Sequence, residues 1–227
     1  MTSRAFVELK ERLKEVRTLA SVDPTRAGET AQPGLSNAVN RGSLVLLSAH
    51  LEGFLEDVMT EALDALVTNR ADVDRLPLLL RSVHAEEHLR DLEPMRDRNA
   101  RAPRIERLFA EELNLWTSGN TLEATMIRHK TVCSEMDNPG SRQIRQFLDI
   151  LSVDIREHLE NEGKSALLQQ VDGLVARRNS IAHGGASSAT YVDVDAYMVA
   201  VEDIAYQIDS AIAVSIQDLC VLPTRPW

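Results

Sequence analysis

Two long apolar stripes at helical spacing constrain this chain more than anything else in it. Between Asn40 and Leu66 the stripe runs Leu44, Leu47, Leu51, Phe54, Leu55, Val58, Leu63 and Leu66; between Asp193 and Gln217 it runs Val194, Met198, Val201, Ile204, Ala205, Ile208, Ile212 and Ile216. Steps of three and four place such side chains on one side of a helix. Each stripe covers about seven turns, so each helix must be buried along most of its length. Residues 3–20 add a third stripe, with Phe6, Val7, Leu9, Leu13, Val16 and Leu19 or Ala20 set among Lys, Arg and Glu, and with Ser3 as a cap. No strand alternation of useful length competes, and the expected fold is all-α.

The breakers divide the rest. Ser21–Gly34, with Asp23-Pro24, Gly28 and Pro33-Gly34, reads as a loop, and the helix after it starts at about Ser36 or Asn40. Residues 77–137 are interrupted by Pro77, Pro94 and Pro103; Phe109 and Trp116 in this stretch are expected in the core. The run Arg96, Arg98, Arg101, Arg104 and Arg107 reads either as a solvated helix and loop face or as a phosphate-steering patch. His84 and His88, four apart beside Glu86 and Glu87, imitate a metal-binding pair, but no third ligand is indicated, so neither a metal nor a cofactor is expected. Asn138-Pro139-Gly140-Ser141 is a turn that opens a helix with Ile144, Phe147, Leu148 and Leu151, and Asn161-Glu162-Gly163-Lys164 separates that helix from the next.

A chain of 227 residues, 44% hydrophobic, is ample for one large domain or for one domain with an inserted helical subdomain. With 25 basic residues against 35 acidic ones its formal charge is −10, which excludes a general nucleic-acid coat or a binder of anionic membranes. Any RNA contact must be local. Cys133 and Cys220 lie far apart and fit a reducing cytoplasm better than a disulfide framework. With no apolar run of 18 residues and no charged-then-apolar leader, the expectation is a cytoplasmic protein with no membrane partner.

The unusual chemistry is concentrated in Ala176-Arg177-Arg178-Asn179-Ser180-Ile181-Ala182-His183-Gly184-Gly185. Leu167, Leu168, Val171, Leu174, Val175 and Ile181 carry an apolar stripe into it, and glycines just past the last periodic residue can close a helix in the left-handed conformation. His183 is thus expected at a helix C-terminus, with Asn179 four residues before it on the same face. Arg178 and His183, five apart, diverge by about 140° and lie roughly 7.5 Å apart along the axis. One helix does not easily aim both at one small group, whereas two copies meeting across a two-fold axis bring two of each into one cleft. The expectation is a homodimer.

Arg178-Asn179-Ser180-Ile181-Ala182-His183 resembles the Arg-x-x-x-x-His signature of the HEPN superfamily, small all-helical proteins many of which are metal-independent ribonucleases and toxins. Ser48-Ala49-His50-Leu51-Glu52-Gly53-Phe54-Leu55 resembles the first core helix of the RiboL-PSP branch of that superfamily. The likeness covers parts of residues 40–68 and 138–217. It implies a single HEPN-like helical bundle over 1–227: an N-terminal helix and loop (1–34), a core helix (35–68), a variable helical elaboration (70–137), the motif helix and final core helix (138–217) and a tail (218–227).

The reaction implied is metal-independent cleavage of RNA by its own 2′-hydroxyl. His183 suits the role of base because histidine titrates nearest neutral pH. Arg178 suits the growing phosphate charge, since its planar fork binds phosphate oxygens bidentately and stays charged. Asn179 is expected to orient the imidazole or the phosphate. Arg177 is a secondary phosphate contact or a solvated charge. Glu52 is a solvent-facing charge or a buried partner that orients Arg178 or His183. An antitoxin or neighbouring regulatory protein is a possible partner alongside the RNA substrate. Two other classes stay open: a non-catalytic HEPN-like binding or dimerisation module, and an acidic helical adaptor with no nucleic-acid role.

Overall fold

The computed structural model describes residues 1–28, 33–133, 136, 138–185 and 188–227. The loop proposed for Ser21–Gly34 therefore lies partly outside the described residues. Its start is well defined: Asp23 accepts from Thr25 N–H at 3.0 Å, Thr25 Oγ1 at 2.7 Å and Asn40 Nδ2 at 2.6 Å, and a short 3-10 turn over Pro24–Ala27 ends at Gly28 with φ 73°. The buried Asp23 carboxyl is pushed up by desolvation, but the bonds from Asn40 and Thr25 outweigh that and hold its pKa at about 2.

The helices are α1 (Arg4–Ala20), α2 (Pro33–Thr68), α3 (Leu78–Leu92), α4 (Arg98–Trp116), α5 (His129–Cys133), α6 (Ser141–Asp149), α7 (Ile155–Asn161), α8 (Ala166–Ala182) and α9 (Tyr191–Cys220). Among the described residues no β-strand forms, and none of these helices is long and apolar enough to cross a membrane. The fold is all-α, as the stripes dictate. The chain divides into two compact units, each of which takes part of α2, α6 and α9.

The first unit comprises Met1–Val58, Met136–Gln146 and Asp154–Ala211. Its core joins Leu9, Leu13 and Val16 of α1, Leu44, Leu47, Leu51 and Phe54 of α2, Val171 and Leu174 of α8, and Val201, Ile204 and Ile208 of α9, all buried. Phe6 meets Phe54 edge-on at 6.5 Å and Tyr206 at 5.8 Å, which ties α1 to both long helices. The start of α1 is fixed twice over. Ser3 Oγ accepts from Phe6 N–H at 3.0 Å, and Ser3 N–H donates to the buried Asp209 carboxylate of α9 at 3.2 Å.

The second unit comprises Met59–Glu135, Phe147–Val153 and Ile212–Trp227. Met59, Leu63 and Leu66 of α2 are buried in it, with Leu80 of α3, Leu115 of α4 and Ile212 and Ile216 of α9. Here the structure corrects the sequence reading. Pro103, expected to interrupt a short pattern, sits inside α4, where it removes the bond its N–H would give to the Asn99 carbonyl and sets its ring against that carbonyl. Phe109 and Trp116, expected in the core, are 59% and 44% exposed. A helix has one inward face, and α4 gives it to Glu112 and Leu115. Glu112 Oε2 lies 2.8 Å from His84 Nδ1, both residues buried, whereas Ile105, Phe109 and Trp116, which share the Glu112 side of the helix at three-, four- and seven-residue spacing, stay exposed, as does Leu113. α7 was not anticipated as a separate helix. It starts at Asp154, whose side chain accepts from Glu157 N–H at 3.0 Å, directly after Ser152 turns the chain with φ 56°.

Candidate active site

The end of α8 closes as the glycines require. His183 N–H donates to Asn179 O at 3.0 Å, Gly184 N–H to Ile181 O at 3.2 Å and Gly185 N–H to Ser180 O at 2.8 Å, with Gly184 at φ 76°. This is a Schellman closure with His183 as the C-cap. Both glycines are needed. A side chain at Gly184 would be strained in the left-handed region, and a Cβ at Gly185 would lie 2.8 Å from the Ser180 carbonyl oxygen. The closure leaves the His183 ring on the surface, and among the described residues its imidazole makes no hydrogen bond.

Arg177 and Arg178 are both half-buried, and their surroundings differ completely. Arg177 Nη1 lies 2.9 Å from Asp193 of α9 and 3.4 Å from Ser188 O, and its guanidinium sits 5.8 Å from the centre of the Tyr197 ring. Tyr197 in turn packs its hydroxyl 2.9 Å from where a Cβ of Gly173 would be, so a side chain there would have to displace the tyrosine ring end. Burial alone would raise the Asp193 carboxyl; bonds from Thr190 N–H at 3.0 Å and Thr190 Oγ1 at 2.8 Å, with Arg177 beside it, hold it below the usual carboxylate range. Arg177 is thus engaged in joining α8 to α9. Arg178 instead donates from Nη1 to Asn179 Oδ1 at 3.1 Å, and among the described residues it has no carboxylate partner. Asn179 orients the arginine beside it rather than the imidazole.

Glu52 is half-buried on α2. The residue of α2 that touches the end of α8 is Arg41, whose Nη2 lies 3.5 Å from the Ile181 carbonyl. Glu52 stands eleven residues further along, about 16 Å down the axis of the same helix. The sequence reading missed Arg41. Its signal was available: the apolar stripe of α2 continues backward from Leu44 into Asn40, Asn37 and Arg41, polar residues on a face that is otherwise buried. Asn37 shares the neighbourhood, accepting from Ala189 N–H at 3.1 Å ahead of α9.

In the second unit, the histidines of the pseudo-metal pair are committed to protein. His84 Nε2 accepts from Arg128 N–H at 2.8 Å while Nδ1 faces Glu112, so both ring nitrogens are taken. The Arg128 guanidinium occupies the centre of this cluster, 2.9 Å from His88 Nε2, 2.7 Å from Glu111 and 2.5 Å from Glu112. Among the described residues no group of three or more His, Cys, Asp or Glu is placed to hold a metal ion. The exposed arginines of α4 are partly engaged as well: Arg107 pairs with Glu111 at 2.6 Å and Arg104 with Asp91 at 3.5 Å.

The RiboL-PSP-HEPN family model matches residues 7–214, from α1 to the last turns of α9 and through the whole of α8. No curated protein and no solved structure matches the chain. A match over that length, on an all-helical chain, shows the family: the chain belongs to the RiboL-PSP-HEPN family.

Proposed function

We propose that the protein is a metal-independent endoribonuclease, acting as a toxin or defence effector, whose site is built from Arg178, Asn179 and His183 of two copies. The observation that carries this reading is the company of Arg178. In a protein with ten more acidic than basic residues, this half-buried guanidinium faces a neutral amide and, among the described residues, no carboxylate, so its charge is available to a phosphate. Membership of a ribonuclease-associated family supports the same chemistry.

His183 takes the proton of the ribose 2′-hydroxyl as that oxygen attacks the adjacent phosphorus. Arg178 binds the phosphate oxygens while negative charge grows on them. The bond from phosphorus to the 5′-oxygen breaks, and the leaving oxygen takes a proton from the second imidazole of the cleft or from water. The divergence of Arg178 and His183 on one helix is the reason for two copies. We take residues 1–227 as one HEPN-like domain, since the family match runs through both compact units.

The test is purified protein against total RNA in excess chelator, compared with His183→Ala. Cleavage that survives chelation, leaves 2′,3′-cyclic phosphate ends and is absent from the variant is the expected result. No cleavage, with full binding of a partner protein, would assign the chain to the non-catalytic HEPN modules.

A further inference from the structure

We infer that Arg41 of α2 is a second RNA-phosphate ligand, which with Arg178 makes a two-guanidinium anion site at the C-terminal end of α8. The inference rests on the ribonuclease reading and adds a residue from another helix to its binding surface. Four described arginines of the first unit are half-buried: Arg12, Arg41, Arg177 and Arg178. Two of them have a carboxylate, Arg12 with Asp57 at 2.8 Å and Arg177 with Asp193 at 2.9 Å. The other two, among the described residues, do not. Arg178 gives one bond to Asn179, and Arg41 gives one, at 3.5 Å, to a carbonyl that already accepts from Gly184 N–H at 3.2 Å.

A guanidinium has five N–H donors, so most of the capacity of both side chains is unused. Removing a cation partly from water without a counter-ion is unfavourable. The negative end of the α8 macrodipole offsets part of that cost for Arg41, which explains how it can rest there without a carboxylate. It does not supply the full charge a phosphate brings. Ile181 is three residues beyond Arg178, about 4.5 Å along the axis, so the carbonyl that Arg41 touches lies within about one turn of the Arg178 Cα. Two forks so placed, each with free N–H groups, suit an oligoanion with phosphates in sequence, and the chain's overall negative charge makes so local a site the expected form of RNA contact.

The experiment measures binding of a fluorescent 2′-O-methyl RNA oligonucleotide, which cannot be cut by this chemistry, by anisotropy between about 50 and 300 mM salt. Wild type is compared with Arg41→Gln and Arg41→Lys, and thermal melts are recorded on each. Arg41→Gln is expected to weaken binding about tenfold and to reduce the salt slope by roughly 0.7, the loss of one single-strand phosphate contact; Arg41→Lys is expected to restore the slope. Unchanged affinity and slope in folded Arg41→Gln would overturn the inference and leave Arg41 as a cap of α8, as would a wild type that does not bind. If Arg41→Gln does not fold, an Arg41→Lys slope below wild type overturns it. The two readings separate cleanly: Arg41-dependent binding without cleavage of ordinary RNA sinks the reaction and keeps the site, whereas cleavage without any effect of Arg41 on binding does the reverse.

Discussion

Arg177 is held 2.9 Å from Asp193, while Arg178, the next residue on α8, has among the described residues only the Asn179 amide as a hydrogen-bond partner. Adjacent positions on a helix point about 100° apart, so one arginine joins α9 and the other turns away from Asp193; on the proposed function it is the second that takes the phosphate. The two should therefore fail differently. Arg177→Ala is expected to cost about 1 to 2 kcal/mol of stability, since it strips a half-buried carboxylate of its partner, and to leave the cleavage rate per folded molecule near wild type. Arg178→Ala is expected to keep its melting temperature within a few degrees and lose cleavage by a factor of about 100 or more. Denaturation curves and RNA assays on the same preparations check both halves, and equal loss of activity in the two variants would contradict the division.

The glycines after His183 predict an effect at one remove from the chemistry. Gly184→Ala places a side chain at φ 76° and should cost about 1 kcal/mol. Gly185→Ala meets the Ser180 carbonyl and should cost about 1 to 3 kcal/mol, with larger loss of cleavage because the turn carrying His183 must shift. Thermal melts paired with turnover at a temperature where both variants are folded would show it.

Acid should reveal Asp23. Its folded pKa, about 2, is below the unfolded carboxylate value near 3.9, so its stabilisation is complete above about pH 4 and is lost as pH falls toward 2. Asn at this position keeps a capping oxygen and cannot titrate. Urea unfolding at a series of pH values is expected to show wild type losing stability between pH 4 and 2 more steeply than Asp23→Asn; parallel curves would refute the assignment.

The His84–Glu112 pair makes a prediction for the second unit. Glu112 is driven up by burial but held below its usual value by His84 and Arg128, and removing one partner leaves the other buried and unsatisfied. Glu112→Ala is expected to destabilise by about 3 kcal/mol, with amide exchange accelerated in α3 and α4 before α1 and α8. Uniform acceleration along the chain would show that the pair does not hold α3 and α4 locally.

What the sequence made legible follows from which force decides each region. α1, the core part of α2, α8 and α9 are set by apolar burial, and burial writes a period into the sequence. The closure after His183 was equally readable, because only glycine tolerates the backbone it needs. α4 was not. Its buried positions are Glu112, opposite His84, and Leu115, while Phe109 and Trp116 on the same side as Glu112 are exposed, a pattern that an argument from hydrophobicity alone does not give. Arg41 escaped for a related reason: its contact is with a backbone carbonyl on a helix 140 residues away in the chain, and a carbonyl has no side-chain signature.

The sharing of α9 between the two units sets the order in which the protein can come into being. Val201, Ile204 and Ile208 complete one core, and Ile212 and Ile216 complete the other. A nascent chain that has already emitted Arg178 and His183 still lacks the closing layer of both. A chain halted before Tyr191 would hold the α8 motif over a core that lacks the layer supplied by Val201, Ile204 and Ile208.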